Sequence, residues 1–360
     1  MRSVANRIAR IFESFKGDAV LLYNTGLVDS NFLYMSGFTS GIFENSTLIV
    51  TRRGMLLLTS ELEYDTARSQ MPREMTVEKC AGGKQLGDKL SAHLRGKVVG
   101  VNADFLPYKH FINLKKLSKA KGFIDASAAF SDARLIKDPD EIGSIREAVN
   151  IVKRSFAEID RYFKEGITEK ELAAEFDYIM RKHGAAEPSF KTIIAFGKNA
   201  ALPHHAPDNT RLKENEFVLI DAGAKYKNYC SDLTRTFIFK PDTKSEKYRR
   251  MQDMIEVVRK AQSLALKAIR PGEEGSDIHK VAADYINSAH NGIYKGKFIH
   301  GLGHSIGIDV HDGARISSLA KTKLEKGMIF SDEPGIYLVG FGGVRFEDDV
   351  LVEENGGRFL

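Results

Sequence analysis

Asp221 and Asp232 sit in FVLIDAGAKYKNYCSDLTRTFIF, residues 217–239. Phe217 to Ile220 is a continuous apolar run, the pattern of a buried strand. It ends on Asp221, whose charge is costly to bury unless something pairs with it. A turn at Lys227-Asn228 returns Cys230 to Phe239 as a second strand. With two residues in that turn, Tyr226 faces Tyr229 and Gly223 faces Asp232. Asp221 and Asp232 then project from one face as diagonal neighbours, on the order of 6–8 Å apart at their β-carbons. Carboxylates at that spacing repel unless they share a proton or a cation. A bulge would flip the register and undo the pairing.

A second segment, IHGLGHSIGIDVHDG at 299–313, holds His300, His304 and His311, three of the ten histidines in the chain. Gly301, Gly303 and Gly307 between them argue for a close-packed loop or strand rather than a helix. Histidine is the commonest metal ligand and the usual proton carrier near neutral pH. Acids follow: Glu333 in SDEPGIY, at a strand end marked by Pro334-Gly335, and Glu347 in VRFEDD. In this last strand Arg345, Glu347 and Asp349 share one face, and a solvent-facing acidic strand is the alternative reading. His204 and His205 lie upstream, in LPHH. Cys230 shares the face of Asp232 and is read as packing; Cys80 has no context.

These groups need elements to hold them. Residues 1–127 alternate short strands and helices: Ala19 to Tyr23, Ser46 to Thr51, Met55 to Thr59 and Lys97 to Asn102 as strands, Glu61 to Gln70 and Gly83 to Leu94 as helices. An Arg-Arg-Gly turn between two of those strands signals a hairpin. A boundary falls near Ser127 to Lys137. Beyond it, Asp138, Pro139 and Glu141 supply an N-cap, a first-turn proline and a capping-box acid. The helix they open carries Ile142, Ile145, Val149, Val152, Phe156 and Ile159 on one face and is expected to end at Gly166. A second helix runs from the Thr168/Glu171 capping box to Gly184. The pattern recurs over Met251 to Ile269 and Asp277 to Ser288. Aligning Glu165-Gly166 with Glu274-Gly275 gives an offset of 109 residues. The second domain, 134–360, then reads as two ααβ-type units with a site at their interface; chance similarity of amphipathic helices is the alternative.

The composition is that of a globular chain able to bury a sizeable core: 360 residues, 42% hydrophobic, 28% charged. A net charge of +5 without clustered basic residues gives no reason to expect nucleic acid as a partner. Two cysteines suit a reducing cytoplasm. The segment MRSVANRIARIFESF, with Arg2, Arg7, Arg10 and Glu13, reads as an amphipathic helix and not a signal peptide. No window has the apolar length of a membrane span.

The ordered set Asp221, Asp232, His304, Glu333 and Glu347 resembles the metal ligands of the methionine aminopeptidase, aminopeptidase P and prolidase superfamily. The resemblance covers essentially the whole chain, since Asn31-Phe32-Leu33-Tyr34 and Ser36-Gly37-Phe38 look like a creatinase-type N-terminal domain. It implies an α/β (α+β) fold: a small N-terminal α/β domain, then a pita-bread catalytic domain with pseudo-twofold ααβ halves. It also implies a dinuclear-metal peptidase that hydrolyses Xaa-Pro bonds through a metal-bridging hydroxide. Asp232 and Glu347 would bridge, Asp221 would complete one site, and His304 with Glu333 the other. Four carboxylates and an imidazole suit Mn²⁺ or Co²⁺ foremost, then Zn²⁺ or Fe²⁺, and disfavour copper.

The same resemblance implies roles for other side chains. Glu333 would pass a proton to the leaving proline nitrogen. His204 and His311 match outer histidines that steady the substrate, and His300 matches a further one seen in aminopeptidase P. Only the first histidine of the His204-His205 pair aligns. Arg315 resembles the arginine with which prolidases hold a dipeptide's free carboxylate; a surface arginine is the alternative. Arg345 is read as supporting a metal ligand or the substrate end. The expected substrate is a small peptide with proline second, cleaved by an Xaa-Pro dipeptidase (prolidase). An Xaa-Pro aminopeptidase acting on longer peptides is the nearest alternative, and a non-catalytic pita-bread binding protein a remote one. Relatives lead to the expectation of a homodimer, and the composition to that of a cytoplasmic protein with no nucleic acid and no membrane as partner.

Overall fold

The computed structural model describes residues 4–360. The chain divides into two compact units, Met1–Arg134 and Leu135–Leu360. In the first, the expected N-terminal helix is Val4–Ser14, and Arg2 lies outside the described residues. A six-stranded sheet runs in the order Met75–Lys79, Gly54–Thr59, Thr47–Thr51, Ala19–Tyr23, Val98–Val101, Gly122–Asp125. The three central strands pair antiparallel and the outer ones add in parallel. Arg52-Arg53 is the two-residue hairpin loop, closed by Thr51 opposite Gly54. Leu86, Leu90 and Leu94 of one helix and Leu114 of another cover one sheet face, against Ala19, Leu21 and Val99. The strands Met75–Lys79 and Gly122–Asp125 escape a sequence reading because both are short and only partly buried. Ser127–Leu135 is a helix rather than an open linker.

The second unit opens as its capping signals dictate. Asp138 accepts from the amides of Asp140 and Glu141, and Glu141 reciprocates, ahead of the helix Pro139–Ile159. That helix stops short of Gly166, passing into a 3₁₀ turn at Asp160–Tyr162. The Thr168/Glu171 capping box starts Glu169–Lys182. Glu246–Ala268 and Gly275–Ser288 form the second helical pair.

The repeat is real, but its offset is 106, not 109. Gly166 N–H donates to the Leu212 carbonyl at 2.9 Å, and Gly272 N–H donates to that of Leu324 at 2.8 Å. Glu169 N–H donates to Thr210 O, as Gly275 does to Thr322 O; Lys170 pairs with Asp208 as Ser276 does with Ala320. Gly166 and Gly272 are both turn residues with φ of +84° and +92°. Gly275 is a glycine for another reason: a β-carbon there would stand 2.9 Å from the Arg315 carbonyl oxygen.

Each helical pair backs a set of strands. Ile193–Phe196, Glu216–Ala222 and Leu233–Phe239 form one sheet, and Ile329–Asp332, Asp348–Glu353 and Gly356–Phe359 another. Both copies bury their inner faces in one apolar core that includes Phe217, Leu219, Val258, Ile286, Phe330 and Val350. A lone bridge between Thr234 and Glu347 stitches the two sheets together. The candidate ligands lie along that seam. Among the described residues, no helix is long and apolar enough to cross a membrane.

Candidate metal centre

The hairpin keeps the register read from its turn. Tyr226 faces Tyr229 across Lys227 and Asn228, whose φ values of 47° and 69° are those of a tight primed turn. Further along, Leu233 faces Ala222 and Thr234 faces Asp221, so no bulge intervenes. The ladder nevertheless breaks opposite Gly223. There the Asp232 N–H turns to the Asp349 carboxylate at 3.2 Å, and the Ser231 carbonyl crowds a position where only hydrogen fits. Asp221 and Asp232 thus stay on one face while the strands pass from one small sheet to another.

His304 comes from the short strand Gly303–His304, and Glu333 follows the end of Ile329–Asp332. Glu347 lies between Gly342–Arg345 and Asp348–Glu353 and is 1% exposed, which overturns the solvent-facing alternative. Ligand atoms of Asp232, His304 and Glu347 lie within 4.8 Å of one another. His304 Nδ1–H donates to the Val310 carbonyl at 3.0 Å, which fixes the tautomer and turns the Nε2 lone pair inward. Nε2 stands 3.5 Å from both Asp232 Oδ2 and Glu333 Oε1. Neighbouring donors that share one ion at about 2.1 Å are separated by roughly that distance.

The electrostatics suit a cation. Burial, then the charge of Glu347, holds the Asp232 carboxyl well above the usual range, and the same two causes act on Glu333. Burial and Asp221 push Glu347 up to about 8. Burial, then His311, drives His304 down to about 3, so its imidazole is neutral at pH 7. Asp221 Oδ1, Asp232 Oδ1 and Glu347 Oε1 are buried without any hydrogen-bond donor. Buried acceptors are rarely left so. Oxygen-rich, donor-poor and paired with a neutral imidazole, this set fits divalent metal ions.

All ten residues singled out from the sequence line one cavity of about 470 Å³. His204, His311 and Arg315 are exposed at it, and the His311 ring lies 4.2 Å from that of His304. Arg315 faces His304 across a two-stranded ribbon. Phe190, Ile193, Pro203 and Val310 give the cavity apolar wall.

Comparison with known proteins agrees with this geometry. Residues 143–354 match the model of metallopeptidase family M24, and residues 6–136 that of the creatinase/prolidase N-terminal domain. The chain belongs to metallopeptidase family M24. It is 32% identical to an Xaa-Pro dipeptidase of Pyrococcus horikoshii, over all of this chain and 97% of the relative. Among solved structures, it resembles an Xaa-Pro dipeptidase from Bacillus anthracis with a TM-score of 0.88 at 29% identity, covering 99% of this chain and 97% of that one. An X-Pro aminopeptidase from Thermotoga maritima matches with the same TM-score at 30% identity and 97% coverage of each. This M24 protein is therefore a peptidase of the prolidase type, and its family uses divalent metal.

Two of these cavity residues, Arg345 and His300, are held by protein partners in this M24 site. Arg345 is buried, and its guanidinium donates to Asp221 Oδ2 at 2.6 Å, Thr234 Oγ1 at 3.0 Å and the Tyr337 hydroxyl at 2.9 Å. It braces the candidate ligand Asp221 and also lines the cavity. Tyr337 accepts from Arg345, so its own proton goes to His300 Nε2 at 2.8 Å, while His300 Nδ1–H donates to the Gly301 carbonyl. Burial and Arg345 hold His300 down to about 4, and both nitrogens of the neutral ring are taken. Both residues line the cavity with these polar groups engaged by protein neighbours.

Thr234 and Tyr337 escape a sequence reading. Thr234 Oγ1 donates to Glu347 Oε2 at 2.6 Å, and its parity with Asp232 was the one available signal. Tyr337 sits on a hairpin whose partner strand carries Arg345, a pairing no local pattern reveals. Cys230 is buried with its thiol against the Ile308 carbonyl and pushed up to about 12 by that burial, consistent with packing.

Proposed function

We propose that this chain is an Xaa-Pro dipeptidase that holds two divalent ions, Mn²⁺ or Co²⁺ foremost. Asp221, Asp232, His304, Glu333 and Glu347 would hold them. The observation that carries this reading is the row of donor-less carboxylate oxygens beside the inward lone pair of His304. When bound there, the ions supply Lewis acidity at the scissile carbonyl and an acidified water as nucleophile. The side chains do the rest. Glu333 would shuttle a proton from the attacking water to the proline nitrogen as the amide bond breaks. His204 and His311 donate to the carbonyl oxygen as charge develops on it. Arg315 makes no ion pair among the described residues, which leaves its guanidinium for the free carboxylate of a dipeptide. An Xaa-Pro bond has no N–H, so recognition rests on the ring, the apolar wall and the charged ends.

The nearest rival is an Xaa-Pro aminopeptidase, favoured by the equal likeness to the Thermotoga maritima enzyme. Hydrolysis of Met-Pro beside Met-Pro-Ala by metal-stripped protein, with Mn²⁺, Co²⁺ or Zn²⁺ restored in turn, tests both. Cleavage of the dipeptide alone supports the dipeptidase, and strong cleavage of the tripeptide moves the assignment to the aminopeptidase. Cleavage of neither, with metal bound, overturns the substrate class. A cytoplasmic homodimer is part of the same reading; sedimentation of the purified chain as a monomer would remove the dimer from it.

A further inference from the structure

We propose that His205 is a positioning residue whose bond to buried Glu169 holds His204 at the active-site cavity. This rests on the reading of His204 as a substrate-facing group.

Leu202-Pro203-His204-His205 is a tight turn, closed by the His205 N–H on the Leu202 carbonyl at 3.1 Å. Proline suits the second position of such a turn, and His204 follows at its tip. The turn is short, so fixing its last residue fixes the tip. His205 Nε2 lies 2.7 Å from Glu169 Oε2, with Glu169 fully buried. Asn199 places its two amide hydrogens on Glu169 Oε1 at 3.0 Å and Thr210 Oγ1 at 3.1 Å. His205 Nε2 must therefore carry the proton it gives to Glu169. The same carboxylate accepts from the amides of Phe196 at 2.8 Å and Asp208 at 3.0 Å. One buried group thus ties both ends of the loop that crosses the cavity.

The other half of the unit solves the same problem in mirror fashion. His311 is also exposed at the cavity and is also followed at once by a buried anchor. Asp312 is 5% exposed and pairs with Lys137 Nζ at 3.3 Å. Two outer histidines, each trailed by a residue tied to a buried partner, point to positioning as the common task. By the repeat, Glu169 corresponds to Gly275, where the Arg315 segment packs directly on backbone. The second copy needs no carboxylate there.

A double-mutant cycle on Xaa-Pro dipeptide hydrolysis by the metal-loaded enzyme tests the idea. His204→Ala is expected to lower kcat/KM about 100-fold. His205→Ala should reproduce about tenfold or more of that loss, since an ångström of misplacement can cost about 100-fold. Combining the two should cost no more than His204→Ala alone. His205→Gln, which keeps a donor of similar reach, should stay within about threefold of wild type; it also serves if His205→Ala does not fold. Multiplying losses in the double variant, or an inert His205→Ala, would overturn the proposal and leave the His204 reading intact. An inert His204→Ala would remove that reading and the proposal together.

Discussion

Two clusters in the second unit contain the same ingredients and opposite chemistry. Asp232, His304 and Glu347 bring ligand atoms within 4.8 Å of one another, and so do Glu169, His205 and Asp208. Residue types and spacing do not separate them; hydrogen-bond donors do. Both Glu169 oxygens are saturated by two donors each, so that cluster is complete as protein. In the other, Asp232 Oδ1 and Glu347 Oε1 have none, nor does Asp221 Oδ1 beside them, and burial with mutual repulsion holds the Asp232 and Glu347 carboxyls above their ordinary range. A metal site is legible as a deficit of protons and donors more than as a surplus of ligands.

The largest test of that contrast is Glu347→Ala. It should abolish metal loading and lower hydrolysis at least about 1000-fold, because it would remove one of the proposed ligands. Near-normal turnover with metal added back would break the comparison. Next, Arg315→Ala should raise KM for a dipeptide about 10- to 100-fold, the worth of a charged hydrogen bond, and barely affect a tripeptide. Equal loss on both substrates would return Arg315 to the surface.

pH sharpens the contrast further. The folded metal-free protein holds Asp232, Glu333 and Glu347 above their unfolded values, so it binds more protons than the unfolded chain. Below about pH 6.5 the lowered histidines, His300 and His304, oppose this, so its stability should fall as pH rises from about 6.5 toward 8. Metal uptake should release protons and tighten over the same span. Thermal unfolding with and without Mn²⁺ between about pH 6.5 and 8 reads this directly, and a metal-free Tm that climbs through that range would contradict it. The smallest effect belongs to Glu169→Gln, which should cost about 1–3 kcal/mol of stability and leave metal content unchanged. Lost metal would merge the two clusters into one.

The sequence spoke clearly where structure is local. A two-residue turn set the register of Asp221 against Asp232, and the capping residues set the starts of two helices. It misled where one residue type has two causes. Glu165-Gly166 and Glu274-Gly275 match in letters, yet Gly166 serves a left-handed turn and Gly275 makes room for a carbonyl. The true mate of Gly166 is Gly272. The shared partner of Arg345 and His300 stayed hidden because Tyr337 arrives from another hairpin strand or loop, with nothing in the local pattern to announce it. The break at Gly223 depends on Asp349, more than 100 residues on.

The seam at Thr234 and Glu347 has a consequence for how the protein is made. Domains fold as units from the N-terminal side while synthesis proceeds. The first half of the catalytic unit presents Asp221 and Asp232 long before Glu347 exists. A nascent chain that has passed Asp232 therefore carries two of the five proposed ligands, and the proposed site is whole only once the closing strands are made.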